Sequence, residues 1–299
     1  LKETNLVFIR LNVNNYLRAN NLPRSFLFSL PFWNLMDILS HTVTGIAAGT
    51  VVAAFSKRKF KSKLYIILAG TLAGAMPDLD ALSLWSKFDS VIGQTFGFNH
   101  TGRQIYFGKL WYSHHGFMHS LSMAFLAPLV WWLIGGLTNR NKRPLKARLS
   151  TRWHDGKLGM VSFIIGYVMH LLEDMITPSG SWNGVRLLFP STEYYGGLGK
   201  IWWWNNYDLF LIAASVVIIN SLILLINRRK KELTVGVFSA AFVVFYIQVN
   251  TRGISFNNDS FTSVFTAKEE KSKAIQREIL GPYLFSNMEN LDNSINLNF

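Results

Sequence analysis

The sequence predicts an all-α fold: a polytopic membrane helix bundle with about four to six membrane-associated helices. Three observations support this. Of the 299 residues, 49% are apolar and only 16% are charged, and the 30 lysines and arginines, against 17 acidic residues, cluster between apolar stretches. Because this charge follows no single polar domain and no nucleic-acid-binding signature is present, it indicates anionic membrane lipid as a partner and not nucleic acid. The lack of cysteine excludes disulfides and thiolate metal sites.

Six apolar stretches are the candidate membrane helices. A bilayer core needs about 20 apolar helical residues, and the last four stretches satisfy this length. The first two are shorter and predict either a tight hairpin or a partly inserted pair. Four glycines recur in them at four-residue spacing, which allows close helix approach but equally reflects how common glycine is in membrane helices. These glycines are Gly45, Gly49, Gly70 and Gly74, and the stretches are 41–56, 64–76, 118–138, 159–178, 209–226 and 233–250.

The loops predict the orientation of the bundle. Half of the basic residues lie in three alternate loops, at 57–63, 139–152 and 228–231. The positive-inside tendency makes all three loops cytoplasmic. The intervening connections then face the extracytoplasmic side.

The chain divides into four predicted parts. Residues 1–35 are an Asn-rich N-terminal extension, and two origins stay open: a genuine interfacial segment, or translated sequence upstream of a native start at Met36. Residues 36–190 form the membrane core that carries the motifs below, and residues 191–250 add further membrane helices. Residues 251–299 are a polar C-terminal tail with one short helix near 267–280.

Ionisable side chains at the ends of four apolar stretches are the candidate functional residues. Such groups are costly at membrane depth, so they are functional candidates by default. The predicted topology places all four clusters at the same, extracytoplasmic, membrane face. The candidate metal ligands are His41, Asp78, Asp80, His114, His115, His119, His170 and Asp174, and the candidate proton acceptors are Asp78 and Glu173.

The spacing of these residues suits a metal site. His115 and His119 are four residues apart, as are His170 and Asp174, and on a helix such pairs share one face. Imidazole and carboxylate are the ligands of hydrolytic zinc sites. The two carboxylates after Pro77 can turn towards the same pocket, because the proline ends the helix. The cluster therefore predicts a divalent metal, with zinc the first candidate, as one ion or as a bridged pair.

The motifs resemble those of the YdjM-like inner-membrane metal-dependent hydrolases, a family with a LexA-regulated bacterial member. The family pattern is an early His, Pro-Asp-x-Asp, His-Arg-Gly-x-x-His-Ser, and Gly-x-x-x-His-x-x-x-Asp followed by Thr-Pro-x-Gly. Here the matching positions are His41, 77–80, 114–120, 166–174 and 177–180. The resemblance covers about 36–190 and implies a membrane-embedded hydrolase with a metal at these residues.

The chain departs from the family pattern at two places. The family arginine is replaced by His115, so the ligand is His114, His115 or both. Three extra residues, Ser181-Trp182-Asn183, follow the Thr-Pro motif. The motif order is also distantly similar to that of the zinc-dependent phospholipase C group.

These observations predict a hydrolase of the inner membrane that acts on an ester or phosphoester through a metal-activated water. A carboxylate that is not a ligand, Asp78 or Glu173, accepts the proton. The headgroup depth of the site favours a lipid or lipid-linked substrate. Trp202, Trp203 and Trp204 suit an interfacial anchor. The sequence leaves the substrate and the oligomeric state open.

Two other functions remain compatible with the same residues. A metal or proton transporter would need ionisable groups near the bilayer centre, whereas these lie at the ends of the stretches. A structural metal site would be closed, with four protein ligands and no bound water.

Overall fold

The structure is a computed structural model that describes residues 36–138, 144–203, 205–226, 231–253, 255–256 and 265–294. Within these ranges every regular element is a helix, apart from two isolated β-bridges. The all-α prediction is confirmed. Some predicted features lie outside the described residues: the N-terminal extension, Trp204, and the basic residues Arg140, Lys142, Arg143, Arg228, Arg229 and Lys230.

Seven long helices make up the framework of the described residues, and all but the last overlap predicted apolar stretches. Their bounds are α1 Met36–Ala54, α2 Phe60–Ala75, α3 Leu121–Thr138, α4 Leu145–Ile176, α5 Tyr207–Ile226, α6 Lys231–Thr251 and α7 Phe265–Ser294. One boundary differs, because α4 begins at Leu145, within the predicted basic loop 139–152.

Helices α1 and α2 form a tight antiparallel hairpin held together by glycines. A Cβ added at Gly45 would lie 2.3 Å from the carbonyl oxygen of Gly70, and one added at Gly74 would lie 2.2 Å from that of His41. No side chain fits between these backbones, so the four-residue glycine spacing serves close approach. Of the two predicted arrangements for this pair, the hairpin is the one present.

The remaining helices pack around this hairpin. Helix α4 crosses both α1 and α2, α3 packs on α4, and α5 and α6 pack on each other and on α1. The Ser162 hydroxyl on α4 donates to the carbonyl of Ile66 on α2 at 2.7 Å. Helix α1 therefore lies among other helices, which explains why a short apolar helix suffices there.

Four helices, α3 to α6, are long and apolar enough to cross a membrane. Helix α2 and the 3-10 helix Pro77–Leu84 after it form a broken pair bent by 46°. Taken together, the two are also long and apolar enough to cross a membrane. The turn begins at Pro77, whose ring cannot continue the α-helical hydrogen bonding. It carries Asp78 and Asp80 away from the axis of α2.

Short helices connect this turn to α3. A π-helical turn, Asp89–Gly93, continues into Gln94–Phe96, and a short helix, Gly102–Phe107, follows. One 3-10 turn, Phe117–His119, then leads into α3.

The C-terminal region is more ordered than the predicted polar tail. Helix α7 includes the short helix expected near 267–280 but continues after a break at Gly281, which has φ 73°. Its second half packs against α5, where Phe285 and Met288 form a buried cluster with Tyr207. The Tyr207 hydroxyl also donates to Asp292 at 2.9 Å. The polar composition hid this packing, because few apolar residues are needed for one contact face.

Candidate metal centre

Five histidines from three chain segments meet at one end of the bundle. His41 lies in the first turns of α1, His170 lies near the end of α4, and the other three precede α3. The ring centres of His41 and His170 are 4.1 Å apart, and those of His119 and His170 are 5.3 Å apart. The predicted convergence of His119 and His170 is present.

Asp174 lies at the centre of the first group of ligand atoms. Its Oδ2 atom is 3.1 Å from Nε2 of His170 and 3.4 Å from Nε2 of His119. Its Oδ1 atom is 3.4 Å from Nε2 of His41. Asp78 contacts the same two nitrogens, with Oδ1 at 3.6 Å from His119 Nε2 and 3.7 Å from His170 Nε2. These five side chains form two overlapping groups that could hold a metal ion.

Outer hydrogen bonds fix the tautomers of the two inner imidazoles. His170 Nδ1 lies 2.7 Å from the Gly74 carbonyl oxygen, which can only accept, so Nδ1 carries a proton and the neutral ring keeps its lone pair on Nε2. His41 Nδ1 lies 2.6 Å from Oε2 of Glu173, which orients His41 in the same way. Glu173 Oε1 also accepts from the Thr44 hydroxyl at 2.7 Å. Carboxylates and carbonyls behind the imidazole are typical of metal-binding histidines.

A second group of imidazoles lies beside the first. His114, His115 and His119 place ligand atoms within 4.8 Å of one another. His114 Nδ1 lies 2.7 Å from Oδ1 of Asp80, and His115 Nδ1 donates to the Gly184 carbonyl at 2.9 Å. Both rings thus follow the pattern of His41 and His170. His119 belongs to both groups and therefore connects them.

His119 differs from the other imidazoles in its hydrogen bonding. Its Nδ1 accepts a long hydrogen bond, 3.2 Å, from the backbone N–H of His115, and it lies 3.6 Å from Oδ2 of Asp80. An Nδ1 atom that accepts this hydrogen bond carries no proton, so the neutral ring of His119 has its proton on Nε2 in this structure. Binding a metal through Nε2 would require the proton to move to Nδ1, which faces Asp80.

Three buried atoms at the centre contact one another but form no hydrogen bond of good geometry with any described residue. These atoms are Nε2 of His119, Nε2 of His170 and Oδ2 of Asp174, at separations of 3.1 and 3.4 Å from the carboxylate oxygen to the two nitrogens. Two imidazole nitrogens and a carboxylate oxygen that face one another are the donor set expected of a zinc or similar divalent site.

The loop histidines are held in the neutral state. Burial, reinforced by the neighbouring His114, lowers the pKa of His115 to about 4. Burial likewise lowers the pKa of His119 well below its usual value, with His114 and His115 adding to the effect. Neutral imidazole is the form that binds a metal, so the electrostatics of this loop favour ligation over protonation.

His115 and His119 converge, but not through the helical spacing that the sequence suggested. His115 and His119 were expected to share a helical face, but α3 begins only at Leu121 and the two lie in a loop and a 3-10 turn. His115 adopts φ 61°, and its ring centre is 4.8 Å from that of His119. The pair converges through this turn, whereas His170 and Asp174 do share a helical face as expected.

Two aromatic residues that sequence reasoning missed cover the second group. Tyr106 stacks on His114 with ring centres 4.3 Å apart, and Trp182 lies 5.0 Å from His114 and 4.7 Å from His115. The Trp182 indole N–H donates to the Tyr106 carbonyl at 2.8 Å. Trp182 belongs to the extra segment after the Thr-Pro motif, and that insertion was its available signal. Nothing in the sequence singles out Tyr106.

The other two histidines lie outside the cluster. His100 is exposed and its Nδ1 contacts the Tyr112 hydroxyl at 3.2 Å. His154 is exposed at the opposite end, where its carbonyl accepts from Arg58 in the first basic loop. His100 and His154 are therefore not candidate metal ligands.

The fold and the cluster define a multi-pass helical membrane protein with a buried His/Asp centre capable of holding a metal. The model of the YdjM inner membrane protein family matches residues 36–253, and the chain belongs to that family. This range covers α1 to α6 and every member of the cluster. Membership places the protein among inner membrane proteins.

A curated relative is also known. The chain is 30% identical over 125 residues to the inner membrane protein YbcI of Escherichia coli strain K12, over 42% of this chain and 53% of the relative. The chain thus matches about half the length of that relative. No solved structure matches the chain.

Proposed function

We propose that this protein is a membrane-embedded, metal-dependent hydrolase that acts on an ester or phosphoester. The observation that carries the proposal is the tautomer pattern of His41 and His170, which turn Nδ1 to an oxygen and Nε2 towards Asp174. Asp174 supplies negative charge to both of these nitrogens, and Asp78 supplies it to that of His170. The inward-facing atoms together form a preorganised site for a divalent cation, with zinc the first candidate.

The residues divide into ligands and supports. His41, His170, His119 and Asp174 would hold the metal, which supplies a Lewis acid that activates water and polarises the scissile group. Glu173 orients His41, since its two oxygens contact His41 and Thr44. This occupation of Glu173 favours Asp78, of the two predicted proton acceptors, as the general base.

The geometry favours a reactive centre over the two alternatives. A structural zinc site is closed with four ligands, whereas this cluster offers more than four donors, and a partly open cleft reaches His41. A transport relay needs groups near the middle of the spans. His41 lies near the beginning of α1, and His170 and Asp174 lie near the end of α4.

The proposed orientation places this centre on the extracytoplasmic side. The centre lies at the end of the bundle opposite the basic loop 57–63, because α1 connects the two. The positive-inside tendency then makes the loop cytoplasmic and the centre extracytoplasmic.

Metal analysis and hydrolysis assays test the proposal together. Purified protein should contain at least one equivalent of a divalent metal and should cleave a chromogenic phosphodiester or ester in a chelator-sensitive manner. His170→Ala should lose both properties, because it removes a central ligand. Glu173→Gln should keep the metal with affinity reduced about 10–100-fold, the usual effect of losing an outer partner of a ligand.

His154→Ala is the matched control, because His154 is exposed at the other end of the bundle. It should leave metal content and turnover unchanged. Full metal content in His170→Ala would refute the metal site. A metal-loaded protein that cleaves neither substrate class would refute the hydrolase assignment but not the site.

A further inference from the structure

A cleft beside the metal centre combines a polar wall and an apolar wall. It is partly open and borders both ligand-supporting and membrane helices. Its polar end includes His41 and Glu173, and its apolar end includes Leu209 of α5 and Phe245 of α6. The enclosed part measures about 30 Å³, which is room for one small group. The cleft therefore suits one end of an amphipathic molecule and not a complete lipid.

The apolar end of the cleft lies at a depth that falls within one leaflet of the bilayer. Phe245 is six residues before the end of α6, a rise of about 9 Å, and a leaflet of the hydrocarbon core is about 15 Å deep. Its neighbours Val244 and Tyr246 are 50% and 63% exposed on the outer surface of the bundle. Hydrocarbon chains of the bilayer therefore lie against the same helix that lines the cleft.

The polar wall holds a buried acceptor that the protein leaves unsatisfied. Asn205 and Asn206 both line the cleft. Asn206 is satisfied at both ends, since its Nδ2 donates to Trp202 and its Oδ1 accepts from Arg252. Asn205 donates to Glu269 at 3.1 Å, but its Oδ1 has no hydrogen-bond partner among the described residues although Asn205 is only 1% exposed. Such an oxygen calls for a hydrogen-bond donor, and a group of a ligand in the cleft can supply it.

We propose that this cleft binds a phospholipid whose headgroup carries a hydrogen-bond donor. An acyl chain lies against Leu209 and Phe245, the donor group reaches Asn205, and the ester or phosphoester lies towards His41. Only the placement of the scissile bond rests on the proposed hydrolase function. The lipid site itself follows from the cleft, its depth and the unsatisfied amide oxygen.

Filling the apolar end tests the proposal. The probe is radiolabelled phosphatidylethanolamine, with phosphatidylcholine, which lacks a headgroup donor, as the comparison. Each is mixed with delipidated protein in detergent, and the lipid retained per protein is counted after gel filtration. Phe245→Trp should lower phosphatidylethanolamine retention about tenfold or more, a loss of about 1.4 kcal/mol. Val244→Trp, the same change on the neighbouring exposed residue, should have no effect.

Leu209→Ala provides a second variant that cannot overpack the bundle. It removes apolar contact with the acyl chain, so phosphatidylethanolamine retention should fall while the metal content stays at the wild-type level. Metal content also shows for each variant that the fold is intact. Equal retention by Phe245→Trp and Val244→Trp would overturn the cleft as the lipid site, and equal retention of the two lipids would overturn the role of Asn205.

The outcome is separable from that of the proposed function. Loss of lipid in Phe245→Trp with no hydrolysis by any variant would support the cleft and refute the reaction. Unchanged lipid retention with chelator-sensitive hydrolysis of the soluble substrate would support the reaction and refute the cleft.

Discussion

Gly74→Ala should damage both the bundle and the metal centre, because Gly74 lies where the two meet. A Cβ at this position would lie 2.2 Å from the His41 carbonyl oxygen and 3.2 Å from Cα of Gly45. Relief of this overlap requires α1 and α2 to separate by about 1 Å, since nonbonded carbon contacts prefer about 3.5–4.0 Å. Overpacking of this kind costs about 1–3 kcal/mol of unfolding free energy.

The same displacement should reach the ligands. His41 is moved directly, and the Gly74 carbonyl holds Nδ1 of His170 at 2.7 Å. A functional site tolerates about 0.5 Å of misplacement, so a shift of about 1 Å should reduce metal occupancy sharply. The measurements are thermal unfolding in detergent and metal content per protein.

Gly236→Ala is the control for the glycine substitution itself. Gly236 lies within α6, and nothing lies within 4 Å of a Cβ added there. Alanine should stabilise this helix slightly, by about 0.5–1 kcal/mol. A Gly74→Ala protein that retains full metal and melts no lower than Gly236→Ala would refute the view that close helix approach positions the ligands.

Two further predictions concern topology and the N-terminal extension. Lys61 and Glu193 are both exposed, and the chain has no native cysteine. A single cysteine at each position should react with a membrane-impermeant thiol reagent from opposite sides, with Lys61→Cys cytoplasmic. Labelling of both from one side would contradict the orientation. A protein that begins at Met36 should insert and bind metal as the full chain does, because the family match starts at residue 36. Membrane fractionation and metal analysis measure the two properties. Loss of either would show that residues 1–35 are structurally required.

The bundle and the membership of the site could be predicted because both depend on pattern. Apolar stretches and basic loops predict the helices and the alternating direction of successive helices across the membrane. This alternating direction places the four motifs at one end of the bundle. His41, Asp78, His119, His170 and Asp174 then meet as expected, since each is costly alone at that depth.

The supports of the site could not be predicted. The acceptors behind His170 and His115 are backbone carbonyls, of Gly74 and Gly184, and every residue has a carbonyl. The contacts of Glu173 could not be predicted either, because orienting a ligand and accepting a proton call for the same side chain. In the structure its two oxygens lie 2.6 Å from His41 Nδ1 and 2.7 Å from the Thr44 hydroxyl, which favours the first role.

The two departures from the family pattern contact each other. His115, at the position of the family arginine, lies against Trp182 of the extra segment and donates to Gly184, which directly follows that segment. The backbone N–H of Arg186 donates in turn to the carbonyl of His115 at 2.9 Å. An arginine here would bring a permanent charge and five donors into a site 4% exposed, whereas a neutral imidazole supplies a lone pair. The extra segment therefore acts as a cover that makes a third loop imidazole compatible with a cation, and His115 belongs with His114 among the candidate ligands.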